Sequence, residues 1–189
     1  MHYTLCDMFS DLTQNAFEAG SKQITVVFTE SDAYLSVTIE DTGKGMSAEQ
    51  LLKATDPFYT DGIKHPLRRI GLGIPFLIQT AESTGGTWHI SSETDGGPDK
   101  RSGTRVECGF DLKNIDTPPV GDVSGYFAHI LTFDGEYEMI IERSSPLLSY
   151  TVRRSELLDA LGLTETGRFE DANALALLAQ YLDECETAN

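Results

Sequence analysis

The sequence predicts an α+β fold followed by a small acidic α/β extension. Three observations carry that expectation. Cys6, Phe9, Leu12, Ala16 and Ala19 recur at the three- and four-residue steps of one helical face. Gln23 to Thr29 and Ala33 to Asp41 are rich in Val, Ile and Thr and are separated by Glu30-Ser31-Asp32, the pattern of a β-hairpin. After Asp111 the pattern changes, and Thr117-Pro118-Pro119 marks a boundary.

The first helix runs from about Cys6 to Ala19 and is stopped by Gly20. Behind the hairpin, Ser47-Ala-Glu-Gln50 is a capping-box pattern opening a second helix that fades by Ala54. Thr55 to Arg69 reads as irregular, with Pro57, Gly62 and Pro66. Gly71-Leu72-Gly73 then feeds an apolar helix reaching Ala81. Thr87 to Ser92 and Thr104 to Phe110 read as strands joined by the glycine-rich stretch from Glu93 to Gly103. Further on, Tyr137 to Glu142 and Leu148 to Val152 suggest strands, and Ser155 to Leu161 and Asp171 to Cys185 suggest helices. Two units follow, residues 1–114 and an accessory segment of residues 115–189.

Composition narrows the function. With 40% hydrophobic and 23% charged residues among 189, the chain is neither disordered nor a fibrous scaffold. Thirty acidic against fourteen basic residues give a net charge of -16, which disfavours nucleic acid and anionic membranes as partners. Residues 115–189 hold fourteen of the acidic residues and only four basic ones, so the acidity is concentrated there. Any polyanion must be held by local features. Cys6, Cys108 and Cys185 are far apart and form no metal or disulfide pattern. No leader-like apolar segment opens the chain and no run approaches a membrane span, so the expectation is a soluble cytoplasmic protein.

Three features bear on chemistry. Asp11 and Asn15 stand at i and i+4, so both project from one side of the first helix. Asp41-Thr42-Gly43-Lys44-Gly45-Met46 follows a strand directly, and its glycines permit close ligand approach. Gly71-Leu72-Gly73 at a helix start can present free amides to phosphate, which is how an acidic protein could hold a polyanion. Taken singly, each is as common in a plain turn or a solvated helix face.

In combination they resemble the GHKL superfamily, the Bergerat ATP-binding fold of gyrase, the heat-shock chaperone, histidine kinases and MutL. Asp11 to Gly20 resembles its N box and Asp41 to Met46 its G1 box. Asp56-Pro57-Phe58-Tyr59-Thr60 resembles the histidine-kinase F box, and Gly71-Leu72-Gly73-Ile74 the G2 box. Ser102-Gly103-Thr104 falls where the last G-T element lies. The resemblance covers about residues 7 to 112 and implies a two-layer α/β sandwich with ATP and Mg2+ as ligands. It implies that Asp41 contacts adenine, and that Gly43, Gly45, Met46, Phe58, Gly71, Leu72, Gly73 and Thr104 line the nucleotide. By the same resemblance Asn15 holds the metal, and Thr55 to Arg69 forms a lid whose Lys64, Arg68 and Arg69 meet the phosphates. Asp11 occupies the position of a catalytic glutamate that orients the attacking water. It is one methylene shorter, which puts hydrolysis in doubt but leaves binding untouched.

The stretch after Lys113 resembles small stand-alone bacterial proteins of this superfamily. No histidine among His2, His65, His89 and His129 sits on a helical hairpin suited to accept phosphate, so autophosphorylation is not expected. Two readings stay open. The first is an ATP-dependent regulatory switch acting on a protein partner with slow or no turnover. The second is a kinase that phosphorylates serine or histidine on a separate protein. The shortened acid at position 11 favours the first.

Overall fold

The computed structural model describes residues 4–56, 73–94, 102–164, 167–169 and 171–187. Helix α1 (Leu5–Glu18) begins where Thr4 and Asp7 close a reciprocal capping box, and it buries Leu5, Met8, Phe9, Leu12 and Ala16 on one side. Gly20 follows it with φ +79, a left-handed value that glycine adopts without steric cost. Strands β1 (Gln23–Glu30) and β2 (Tyr34–Asp41) pair as the predicted antiparallel hairpin, in a register that sets Phe28 opposite Val37. Helix α2 (Ala48–Thr55) carries the expected capping box between Ser47 and Gln50. Helix α3 (Gly73–Thr84) and strands β3 (Thr87–Glu93) and β4 (Gly103–Asp111) lie within a residue or a few of their predicted bounds.

Beyond β4 the chain first runs back to the start of α1. The carbonyls of Pro119 and Val120 accept the amides of Leu5 and Cys6 at 2.9 Å each, satisfying donors that a helix start leaves unpaired. Helix α4 (Val123–Leu131), capped by Asp122, comes next and was not anticipated. Val123, Tyr126, Phe127, Ile130 and Leu131 stand at the i, i+3, i+4, i+7 and i+8 spacing of one helical face, although Gly125 lowers the helix propensity of this short segment. Strands β5 (Glu138–Ser144) and β6 (Ser149–Arg153) and helices α5 (Arg154–Ala160) and α6 (Ala172–Thr187) complete the fold, close to the predicted tail elements.

All six strands form one sheet in the order β3-β4-β2-β1-β5-β6. The β1/β5 pair is parallel and the other four are antiparallel. Residues 115–189 thus extend the same sheet that residues 23–111 begin. Alternate residues of the central strands point into the helical layer, including Ile24, Val26 and Phe28, Leu35, Val37 and Ile39, Cys108 and Phe110, and Met139 and Ile141. Phe9 meets Phe28 edge to face at 6.0 Å, and Phe28 meets Phe127 likewise at 5.8 Å, tying α1 and α4 to the sheet centre.

Arg143 occupies the next inward position after Ile141, where a hydrophobic residue would be ordinary. It is 5% exposed. Its guanidinium bonds Glu186 of α6, Glu30 of β1 and the Ser144 carbonyl, and lies 5.0 Å from the Phe28 ring centre. The acidic end of α6 is thereby fastened to the sheet. Among the described residues no helix is long and apolar enough to cross a membrane.

Candidate functional site

Asp11, Asn15 and Ala19 succeed one another at i, i+4 and i+8 along α1. At 1.5 Å per residue they mark out a track of about 12 Å on one helix side. Each end of the track meets a glycine-bearing segment distant in sequence.

At the Ala19 end, the last residue of β2 places its carboxylate in the angle between α1 and the sheet. Asp41 is 8% exposed. Its Oδ1 accepts the Gly43 amide at 2.7 Å and the Ser21 hydroxyl at 2.8 Å. Burial pushes this carboxyl above the ordinary aspartate range. The Gly43 amide, the Ser21 hydroxyl and the Thr104 amide pull it back, and neighbouring Glu40 adds a smaller upward push.

The loop after Asp41 is folded tightly onto α1. Lys44 donates its amide to the Ala19 carbonyl at 3.1 Å. A Cβ on Gly43 would lie 2.7 Å from Ala19 Cβ and from Ser21 Oγ, and 2.8 Å from Asp41 Oδ1, so no side chain fits. Gly45 has φ +63, and a Cβ there would stand 1.8 Å from the Glu93 carbonyl oxygen. The loop is held from the far side as well. Met46 donates its amide to Ser92 Oγ at 2.8 Å, and Ser92 Oγ is 2.8 Å from Thr104 Oγ1. Thr104 is the β4 residue paired with Asp41.

At the other end, α3 begins against α1. A Cβ on Gly73 would fall 3.4 Å from the Asn15 side-chain amide and 3.7 Å from Asp11 Cβ. The first turn of a twelve-residue helix, with the partial positive charge of its amino terminus, therefore adjoins the two polar side chains of α1. One end of the track offers a shielded acceptor, and the other offers backbone donors beside a carboxylate and a neutral amide.

Of the residues singled out in the sequence, Asp11 and Asn15 lie on this track, Asp41, Gly43 and Gly73 adjoin its ends, and Gly45, Met46 and Thr104 lie in or against the loop after Asp41. Phe58, Lys64, Arg68, Arg69, Gly71 and Leu72 lie outside the described residues. Ser21 and Ser92 were missed. Ser21 follows the helix-ending glycine, a place where a polar turn residue draws no notice. Ser92 gains meaning only through its pairing with Thr104 across β3 and β4. Among the described residues no group of three or more His, Cys, Asp or Glu side chains is placed to hold a metal ion.

A separate cleft of about 400 Å³ between α1 and α4 is lined in part by Asp7, Asp122 and His129. Its two carboxylates serve as helix caps: Asp7 binds Thr4, and Asp122 binds the Gly125 amide. They fix helix starts there.

The family model described as histidine kinase-, DNA gyrase B-, and HSP90-like ATPase matches residues 3–114. No curated protein matches the sequence. Among solved structures, the Aquifex aeolicus MutL ATPase domain complexed with ADP is similar with TM-score 0.52 and 13% identity, covering 89% of this chain and 71% of that one. The N-terminal domain of a DNA repair protein gives TM-score 0.48 at 13% identity, with 78% of this chain matched to 52% of that one. The mycobacterial sensor histidine kinase MprB gives 0.33 at 17% identity, with 47% matched to 57%. The chain thus spans about half the length of the DNA repair protein chain, about seven tenths of the MutL chain and somewhat more than half of the kinase chain.

Proposed function

Because the chain belongs to the histidine kinase-, DNA gyrase B-, and HSP90-like ATPase family, we propose that it binds Mg-ATP along α1 and acts as a nucleotide-dependent switch with slow or no hydrolysis. The carrying observation is the buried carboxylate of Asp41, whose Oδ1 is already held by Gly43 and Ser21. A carboxylate only accepts hydrogen bonds, so it suits the exocyclic amine of adenine and repels the carbonyl of guanine. A buried polar group left unpaired costs about 1 to 3 kcal/mol, which amounts to tenfold to hundredfold selection for adenine. The MutL ATPase domain of similar fold is complexed with ADP, which supports an adenine nucleotide as the ligand.

From Asp41 the track leads to Asn15, Asp11 and the start of α3, where the phosphates would lie. Asn15 offers a neutral oxygen, and Mg2+ takes oxygen ligands while keeping waters and bridging phosphates, so the residues present fit an ion shared with the nucleotide. When bound, the ion neutralises phosphate charge. Asp11 would orient water from a shorter arm than glutamate, which favours binding over turnover. Lys64, Arg68 and Arg69 would supply cations to the phosphate tail. Residues 1–114 would form the nucleotide-binding unit, with 115–189 as an accessory segment and a separate protein as the recipient of the signal.

Incubation with γ-labelled ATP tests this reading. Retention of nucleotide with little released phosphate, and no label on protein, is the expected result. Rapid phosphate release or label transferred to a partner would replace the switch with an ATPase or a kinase acting in trans.

A further inference from the structure

Ser21 sits in the turn between α1 and β1, 3% exposed, in a position that no family motif marked. Its Oγ is 2.8 Å from Asp41 Oδ1 and 2.7 Å from the Ala16 carbonyl. A hydroxyl carries one hydrogen, so it serves one of these acceptors at a time. Against an ionised carboxylate the choice is settled by charge, since a charge-assisted hydrogen bond is about twice as strong as a neutral one. A Cβ on Gly43 would lie 2.7 Å from Ser21 Oγ and 2.8 Å from Asp41 Oδ1, so this pairing requires glycine at that position.

Ser21 and Gly43 both donate to Oδ1, and the Thr104 amide also bonds the carboxylate, so a ligand uses the acceptor capacity that remains on it. Resting on the ATP reading above, we propose that Ser21 is a positioning residue for base selection: its hydroxyl holds Asp41 as an acceptor toward a 6-aminopurine. The alternative state is a neutral acid, whose O–H could donate to a 6-oxopurine. That state would erode the preference for adenine. The groups facing Asp41 from the surrounding elements are Ser21 from the α1–β1 turn, Gly43 from its own loop, Thr104 from β4 and Glu40 from β2. Glu40 is the charged member of that set, and it favours the neutral acid. Ser21 opposes it.

The test uses the full chain and isothermal titration with Mg-ATP and Mg-GTP between about pH 4 and pH 8, for the natural protein, Ser21→Ala and Ser21→Cys. Loss of one hydrogen bond to a charged group is expected to weaken ATP binding about tenfold, with GTP changed less than about twofold. The pH midpoint below which ATP binding fails should also move upward in Ser21→Ala, because the ionised form has lost a donor. Ser21→Cys, with its weaker S–H donor, should fall between. Equal losses for both nucleotides with an unmoved midpoint would mean a merely structural serine and would overturn the inference, as would unchanged ATP binding. If the natural protein binds neither nucleotide, the ATP reading itself falls and takes this inference with it.

Discussion

Replacing Glu186 with alanine tests how firmly the acidic end of α6 is bound to the sheet. The Glu186 carboxylate meets Arg143 through Nε at 3.1 and 3.3 Å and through Nη2 at 3.1 Å, and it also accepts the Tyr150 hydroxyl. Stripping a buried charge of its only partner costs about 3–5 kcal/mol. Here Glu30 remains at 2.7 Å and the Ser144 carbonyl at 3.0 Å, so the guanidinium keeps a counter-charge. The expected loss is therefore about 2–3 kcal/mol, the range of hydrogen bonds to charged groups together with a half-buried phenol left without its acceptor. For a chain of this length that lowers Tm by about 4–12 °C. Urea unfolding followed by circular dichroism reads the free energy. A double-mutant cycle with Arg143→Met then isolates the pair. A loss under about 0.5 kcal/mol, or no coupling in the cycle, would refute the claim that this contact fastens α6.

Gly45→Ala should cost at least about 2 kcal/mol, because φ +63 strains any Cβ and the Glu93 carbonyl stands where it would go. A melting curve like that of the natural protein would contradict the crowding. Cys6 and Cys108 are buried, and burial pushes both thiols up to about 12, so neither should react with a disulfide reagent at neutral pH until the protein unfolds. Fast native-state labelling of either, located by mass spectrometry, would count against that burial. The raised carboxyl of Asp41 has a definite sign. Its folded value lies above its unfolded one, so its contribution to stability is fully present below the unfolded value and is lost as pH rises through the folded one. Asp41→Asn without nucleotide should accordingly melt no lower than the natural protein at pH 7, and a drop of several degrees would show that the ionised carboxylate supports the fold. Nucleotide affinity runs the opposite way and should be lost as pH falls through the raised value.

The amino-terminal elements were legible because local chemistry announces them. Cys6, Phe9, Leu12 and Ala16 keep helical spacing, Ser47 with Gln50 is a reciprocal cap, Gly20 is a stop, and Gln23 to Thr29 and Ala33 to Asp41 are dense in Val, Ile and Thr. Long-range pairings were less legible. Nothing local in Glu138–Ser144 says that it lies parallel to β1, and nothing in Pro118-Pro119 says that the carbonyl of the second caps α1. Arg143 reads as a solvent-facing strand residue until Glu30 and Glu186 are brought to it. The site divides in the same manner. Glycines at 43, 45 and 73 stand out by residue type, as do the acid at 41 and the amide at 15. The hydroxyls of Ser21 and Ser92 matter only for the atoms the fold sets beside them.

The central claim, that Asp41 and the face of α1 hold Mg-ATP, is tested most directly by thermal unfolding with saturating Mg-ATP, with Mg-GTP, and with Mg-ATP on Asp41→Asn. At a hundredfold excess over Kd, binding adds about 2.7 kcal/mol to the native state, a rise of about 5–11 °C for a chain of this size. The account predicts that rise with ATP on the natural protein, little with GTP, and none for Asp41→Asn. No shift with ATP, or the same shift in all three, would contradict it.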